Sequence, residues 1–334
     1  MRIGLVDVDG HNFPNIALMK LSAWHKRRGD TVEFADPAAR RYDKVYMSKV
    51  FTFSRDCTDR YDCEVVRAGT GYRDYATILP EEIEHICPDY SLYGVKEAYG
   101  FLTRGCVNRC SWCVVPHKEG EVRAHADIEE FLDGRKRAVL LDNNVLASEW
   151  GLMQIEKIVR MGIRVDFNQG LDARRIARTP EIAALLARVK WIRFLRMAYD
   201  SRAMQDDVHK AIELLRKHGV PARRLFFYVL IRDDTEDALG RIRELKALGC
   251  QPFAQPYRDF EHEGKPSWEQ WRPTGAIANR CSTPWIMRNT EKNELNNRTY
   301  EQTENQICRR VRLSCSNGGR AYRIAIYRLP CLRT

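Results

Sequence analysis

Three cysteines, Cys106, Cys110 and Cys113, stand at C-x3-C-x2-C spacing in the segment GFLTRGCVNRCSWCVVPHKEG, out of eleven cysteines in the chain. Thiolates this close in sequence can fold round one compact inorganic centre. Two centres suit them. A structural zinc takes four ligands in a closed tetrahedron, and His117, four residues past Cys113, completes a Cys3His set. A four-iron cluster takes one protein ligand per iron, so three cysteines leave one iron open for a substrate or cofactor.

The elements around this segment fix where it sits. From about residue 99 the chain alternates strand and helix. Strands are expected near 99–104, 138–142 (AVLLD), 163–168 (IRVDFN), 191–196 (WIRFLR), 225–230 (LFFYVL) and 252–257. Met204, Val208, Ala211, Ile212 and Leu215 recur at helical spacing and stop at Gly219. The acidic run DDTED suits a helix N-terminus and is followed by a stop at Gly249. Six such units imply a parallel sheet or a partial barrel, short of the eight of a closed one. The cysteine loop follows the first strand, at the carboxyl edge where such folds place their chemistry. Before this array, RIGLVDV, TVEFAD and KVYMSKV read as strands and NIALMKLSAWHKRRGD as a helix. This is half of a doubly wound, Rossmann-like sheet.

The chain has 334 residues, 44% of them hydrophobic, which is enough for a large core. It has no apolar run of about 18 residues, so no membrane span is expected. The opening MRIGLVDVDG turns acidic early, so no secretion signal is expected. The cysteines should then meet a reducing cytoplasm, where metal ligands and buried thiols outnumber disulfides. Net charge is +10, and residues 272–334 carry a surplus of eight of it. No acid follows Glu304. Such a tail can attract nucleic acid through counterion release.

C-x3-C-x2-C with Trp112 just before the last cysteine resembles the signature of the radical S-adenosylmethionine superfamily. The resemblance implies that Cys106, Cys110 and Cys113 hold a [4Fe-4S] cluster whose fourth iron is chelated by S-adenosyl-L-methionine. A cluster electron then cleaves the sulfonium, and a 5′-deoxyadenosyl radical abstracts hydrogen from a substrate that the sequence does not identify. It also implies an electron donor such as flavodoxin or ferredoxin. Further cofactor contacts follow by position in the family pattern. Asp142, Asn143 and Asn144 end the second strand, where the family receives the methionine amino group on a glycine-rich acidic turn. Asn168, Gln169 and Gly170 end the third. Asp200 and Ser201 end the fourth, where ribose or the methionine carboxylate is bound. Read singly, each Asn or Asp also suits a helix N-cap. Cys250 and Tyr228 lie near the sixth and fifth strands, as cavity or core residues.

The expected fold is therefore α/β: a Rossmann-like, cobalamin-binding-domain-like half (1–95), a partial (β/α)6 radical S-adenosylmethionine barrel (96–265) and a basic, irregular extension (266–334). The layout over residues 1–265 looks closest to bacterial and phage members of the superfamily. CSWCVVPHKEGEVR is also similar to the cluster loop of tRNA methylthiotransferases, which hold a second cluster on three further cysteines; Cys57, Cys63 and Cys87 are available. Asp9-Gly10-His11 matches the start of the D-x-H-x-x-G motif of cobalamin-dependent enzymes, with Pro14 in the place of its glycine. Cys281, Cys308, Cys315 and Cys331 in the extension offer a further set. The non-enzyme alternative is a Cys3His zinc protein that binds nucleic acid through its tail.

Overall fold

In the computed structural model, which describes residues 1–10, 13–38, 41–232 and 234–257, the chain begins with a parallel sheet. RIGLVD forms β1 (Arg2–Asp7), with Ile3 and Leu5 buried. Helix α1 (Ile16–Arg27) is capped by Asn15, whose side chain accepts from Leu18 N at 3.2 Å. It ends on three basic residues, and Gly29 then takes the positive φ of 83° that the turn needs. Strands β2 (Thr31–Phe34), β3 (Lys44–Ser48) and β4 (Glu64–Ala68) complete a sheet of order β2-β1-β3-β4, every pair parallel. The sequence reading foresees the first three. β4 holds only two valines in five residues and is half-exposed, so it does not stand out as a strand until it pairs with β3 at the sheet edge. A short α2 (Glu81–Glu84) follows. α1 seals a small core of Ile3, Leu5, Leu18, Leu21, Ile83 and Ile86, while its Met19 enters the larger core described next.

The strand–helix array begins with β5 (Ala98–Gly100), β6 (Thr103–Arg104), α3 (Val115–Lys118), β7 (Arg123–Ala124) and α4 (Ile128–Leu132). β8 (Arg137–Leu140), α5 (Glu149–Met161), β9 (Arg164–Phe167), α6 (Ala173–Arg178), α7 (Pro180–Arg188) and β10 (Lys190–Trp191) follow. β11 (Leu195–Ala198), α8 (Gln205–Lys217), β12 (Leu225–Ile231), α9 (Thr235–Ala247) and β13 (Gln251–Pro256) close it. The strands form two parallel sheets, β10-β9-β8-β5 and β11-β12-β13, with no closed barrel among the described residues. Val165, Phe167, Leu195, Met197, Leu225 and Phe227 pack with Val208, Ala211, Ile212 and Leu215 of α8 in one large core. The helical spacing from Met204 to Leu215 is thus a buried face. The acidic start of α9 is real, with Asp234 capping Asp237 N at 2.9 Å.

Two expected strands are corrected. The first, 99–104, stops at Gly100, because the Asp142 carboxylate takes the amides of Leu102 (3.0 Å) and Thr103 (2.6 Å) that a ladder would use. Thr103–Arg104 then pairs antiparallel with Arg123–Ala124. The fourth, 191–196, is broken at residues 192–194, where Arg193 is exposed. Its first part pairs with β9 and its second with β12. The two sheets nevertheless touch. Leu171 bridges Met197, and Arg196 makes a two-pronged pair with Asp166 at 2.6 and 2.7 Å, both side chains buried. Among the described residues no helix is long and apolar enough to cross a membrane.

Candidate active site

The β6–β7 pair clamps the base of the cysteine loop. Cys106 N donates to Gly120 O at 3.1 Å, and Gly105 lies at φ +78° with no room for a side chain: a Cβ there would stand 2.1 Å from Glu121 O. Glu119, its side chain 4% exposed, holds this base together. It pairs with Arg104 at 2.9 Å and accepts from Gly105 N at 2.8 Å and from Asn143 Nδ2 at 3.0 Å. A one-turn α3 follows, and burial pushes its Lys118 down to about 8.

Cys106, Cys110 and Cys113, all half-buried, line one cavity. Its other walls come from the carboxyl ends of parallel strands: Asn143 and Asn144 after β8, Gln169 to Arg174 after β9, and Ala198 and Met204 at and after β11. The Cys106 sulfur accepts two N–H groups, from Asn108 N and Asn144 Nδ2, each at 3.4 Å. Both asparagines are steered by Asp172, whose Oδ2 takes Asn108 Nδ2 at 2.8 Å and Asn144 Nδ2 at 3.1 Å. Burial works against the Asp172 charge. The Arg174 guanidinium, at 2.8 and 3.1 Å, and the two amides outweigh it and hold the carboxyl below the usual carboxylate range.

Of the residues read from the sequence, Cys106, Cys110, Cys113, Asn143, Asn144, Gln169 and Gly170 are thus brought to one cavity. Trp112, Asp142, Asn168, Asp200 and Ser201 are not in its wall. Trp112 places its ring 5.2 Å from the Arg232 guanidinium, beyond β12. Asp142 ties β8 to the chain after β5 with Oδ1 alone, also taking the Thr103 hydroxyl at 2.7 Å. Full burial lifts its carboxyl to about 6 against the pull of those donors. Asn168 O accepts from Tyr228 OH at 2.9 Å, and Arg196 Nη1 donates to the same hydroxyl at 3.1 Å. Asp200 is buried, and Ser201 precedes the turn into α8. His117 is exposed and outside the cavity. Cys250 lies in the core, and burial raises its thiol to about 11.

Among the described residues no three His, Cys, Asp or Glu side chains stand close enough to share one metal ion. Cys57, Cys63 and Cys87 lie elsewhere, on the β3–β4 loop and after α2, and burial raises each thiol above its ordinary range. His11 and the cysteines and arginines of the extension lie outside the described residues. Sequence reading missed Asn108, Glu119, Asp172 and Arg174. The D-x-R at the start of α6, two residues past Gly170, is the local signal for the last two. No protein-family model matches the chain, and no curated protein matches it.

Proposed function

We propose that the chain is a radical S-adenosylmethionine enzyme, and that its two parallel sheets act together as an open six-unit β/α array carrying a [4Fe-4S] cluster. The observation that carries this reading is the convergence of the C-x3-C-x2-C thiols on one cavity at the carboxyl edge of parallel strands. Three thiols suit a cluster, which takes one thiolate per iron, and the exposed His117, outside the cavity, gives zinc no fourth ligand there.

The donor set also fits the group. Asn144 Oδ1, in the cavity wall, is buried with no hydrogen-bond partner among the described residues. Buried polar atoms of this kind are costly unless something satisfies them. This carboxamide oxygen would accept from an ammonium. When bound, such a cluster would supply the electron for reductive cleavage of the S-adenosylmethionine C–S bond, and the adenosyl fragment released would take the substrate hydrogen.

The chain's own residues do the positioning. Asn108 and Asn144 direct N–H groups at the Cys106 sulfur, as donors around metal-bound sulfur do. Asp172, kept ionised by Arg174, fixes both amides. Glu119 and the Gly105 turn hold the loop over the strand ends. The reading requires an electron donor such as a flavodoxin or ferredoxin.

Anaerobic reconstitution tests it. The protein should take up about four irons with matching sulfide and absorb near ~400 nm. Replacing any of the three cysteines with Ala should remove most of that iron. Dithionite and S-adenosylmethionine should then yield 5′-deoxyadenosine, identified by mass. A colourless protein with one tight zinc overturns the reading, and S-adenosylhomocysteine as sole product replaces it with polar methyl transfer.

A further inference from the structure

The opposite edge of the same sheets carries a second feature, independent of the cysteines. Arg137, Arg164 and Lys190 are the first residues of β8, β9 and β10 and stand directly in register, Arg137 beside Arg164 and Arg164 beside Lys190. Like charges in such positions destabilise a sheet. Lys136 and Arg224, each just before a strand, join them round an open cleft whose lining includes no acid. Of the five cations only Arg137 has an acidic partner among the described residues, Glu97 at 3.1 Å. Lys190 leans towards Gly162, the end of α5, where a cation suits the helix dipole. That role does not account for Lys136, Arg164 or Arg224, which are exposed.

A row of aromatic rings lies at the adjoining sheet. Asp166 is two residues past Arg164 and so on the same face. It is bound to Arg196, which is in register with Phe226. Phe194, Phe226 and Phe253, all half-buried, stack in a row with centroids 5.3 and 5.8 Å apart and planes within 30°. Arg193 lies 4.7 Å over the Phe194 ring. In the cleft wall the Trp191 indole N–H is buried with no partner among the described residues.

We propose that this amino edge binds single-stranded nucleic acid, the cations following the phosphates and the phenylalanine row taking the bases. Cations along a groove with adjoining flat rings are what an unpaired strand needs, since every base has a face to stack. A membrane surface would instead need rings that protrude.

The test is fluorescence anisotropy on the full chain with a labelled, unstructured 12-mer as RNA and as DNA, across a salt series. Lys136→Gln/Arg164→Gln/Arg224→Gln should weaken binding about tenfold or more and flatten the slope of log affinity against log salt by about 2, near 0.7 for each lost phosphate contact. Because it relieves like-charge crowding, this variant should melt no lower than the parent, which separates lost binding from lost folding. Phe194→Ala should weaken binding about tenfold with the slope unchanged. Equal binding of RNA and DNA marks a backbone-and-stacking surface, and a preference for RNA marks readout of the 2′-hydroxyl; either supports the proposal. A triple variant with the parent's affinity and slope puts the contacts elsewhere and overturns it. So does a parent that ignores both oligomers, or one that binds phosphatidylserine vesicles in their place.

Discussion

Asp142→Asn in the iron-free protein isolates one buried carboxyl. Its Oδ1 accepts three bonds, from Leu102 N, Thr103 N and the Thr103 hydroxyl, while Oδ2 is buried and unbonded. Burial raises its pKa from 3.8 to about 6. The sign follows from proton counts. Between these values the folded chain holds a proton that the unfolded chain has released, so stability is greatest below about 4 and falls as pH rises through 6. At about 1.4 kcal/mol per unit the full shift corresponds to roughly 3 kcal/mol.

The Asn variant keeps an oxygen for the three donors but cannot titrate. It leaves the amide nitrogen unsatisfied, a cost of about 1–3 kcal/mol that does not vary with pH. Urea unfolding of both proteins between pH 4 and 7 should therefore show the variant gaining on the parent by about 2–3 kcal/mol as pH rises, whatever the offset at pH 4. All other titrations cancel in the difference. A difference that stays flat across this range refutes the buried, proton-holding Asp142.

Gly105→Ala should cost more than about 2 kcal/mol and empty the cysteine loop of iron, since the residue must take a positive φ while its Cβ meets the Glu121 carbonyl; thermal melts and iron analysis check both. Asp166→Ala should cost about 3–5 kcal/mol by stranding the buried Arg196 charge, whereas Asp166→Leu/Arg196→Met should recover most of it; a denaturant series compares them. Asn144→Ala should weaken iron retention about 10-fold or more against a chelator and shift the reduction potential downward, because the Cys106 sulfur loses a donor.

The features legible in the sequence were those that lie within one short segment. The cysteine spacing, the apolar face of α8, the acid-rich start of α9 and most strands of the array are patterns of neighbouring residues. What was not legible depends on where distant segments meet. Asp172 matters because α6 begins beside the cysteine loop, and Glu119 because β6 and β7 bring it under Gly105. The break in the fourth strand is set by two competing partners, β9 and β12, rather than by its own apolar residues. Arg137, Arg164 and Lys190 are unremarked cations in sequence and become a row only through strand register.

The central claim is that Cys106, Cys110 and Cys113 hold a cluster with one iron open to S-adenosylmethionine. The most direct measurement is the electron paramagnetic resonance spectrum of the dithionite-reduced, reconstituted protein, recorded with and without that cofactor. A reduced [4Fe-4S] signal whose g values shift on adding S-adenosylmethionine is the predicted result. A signal indifferent to the cofactor, or one that survives replacement of the three cysteines, contradicts the account.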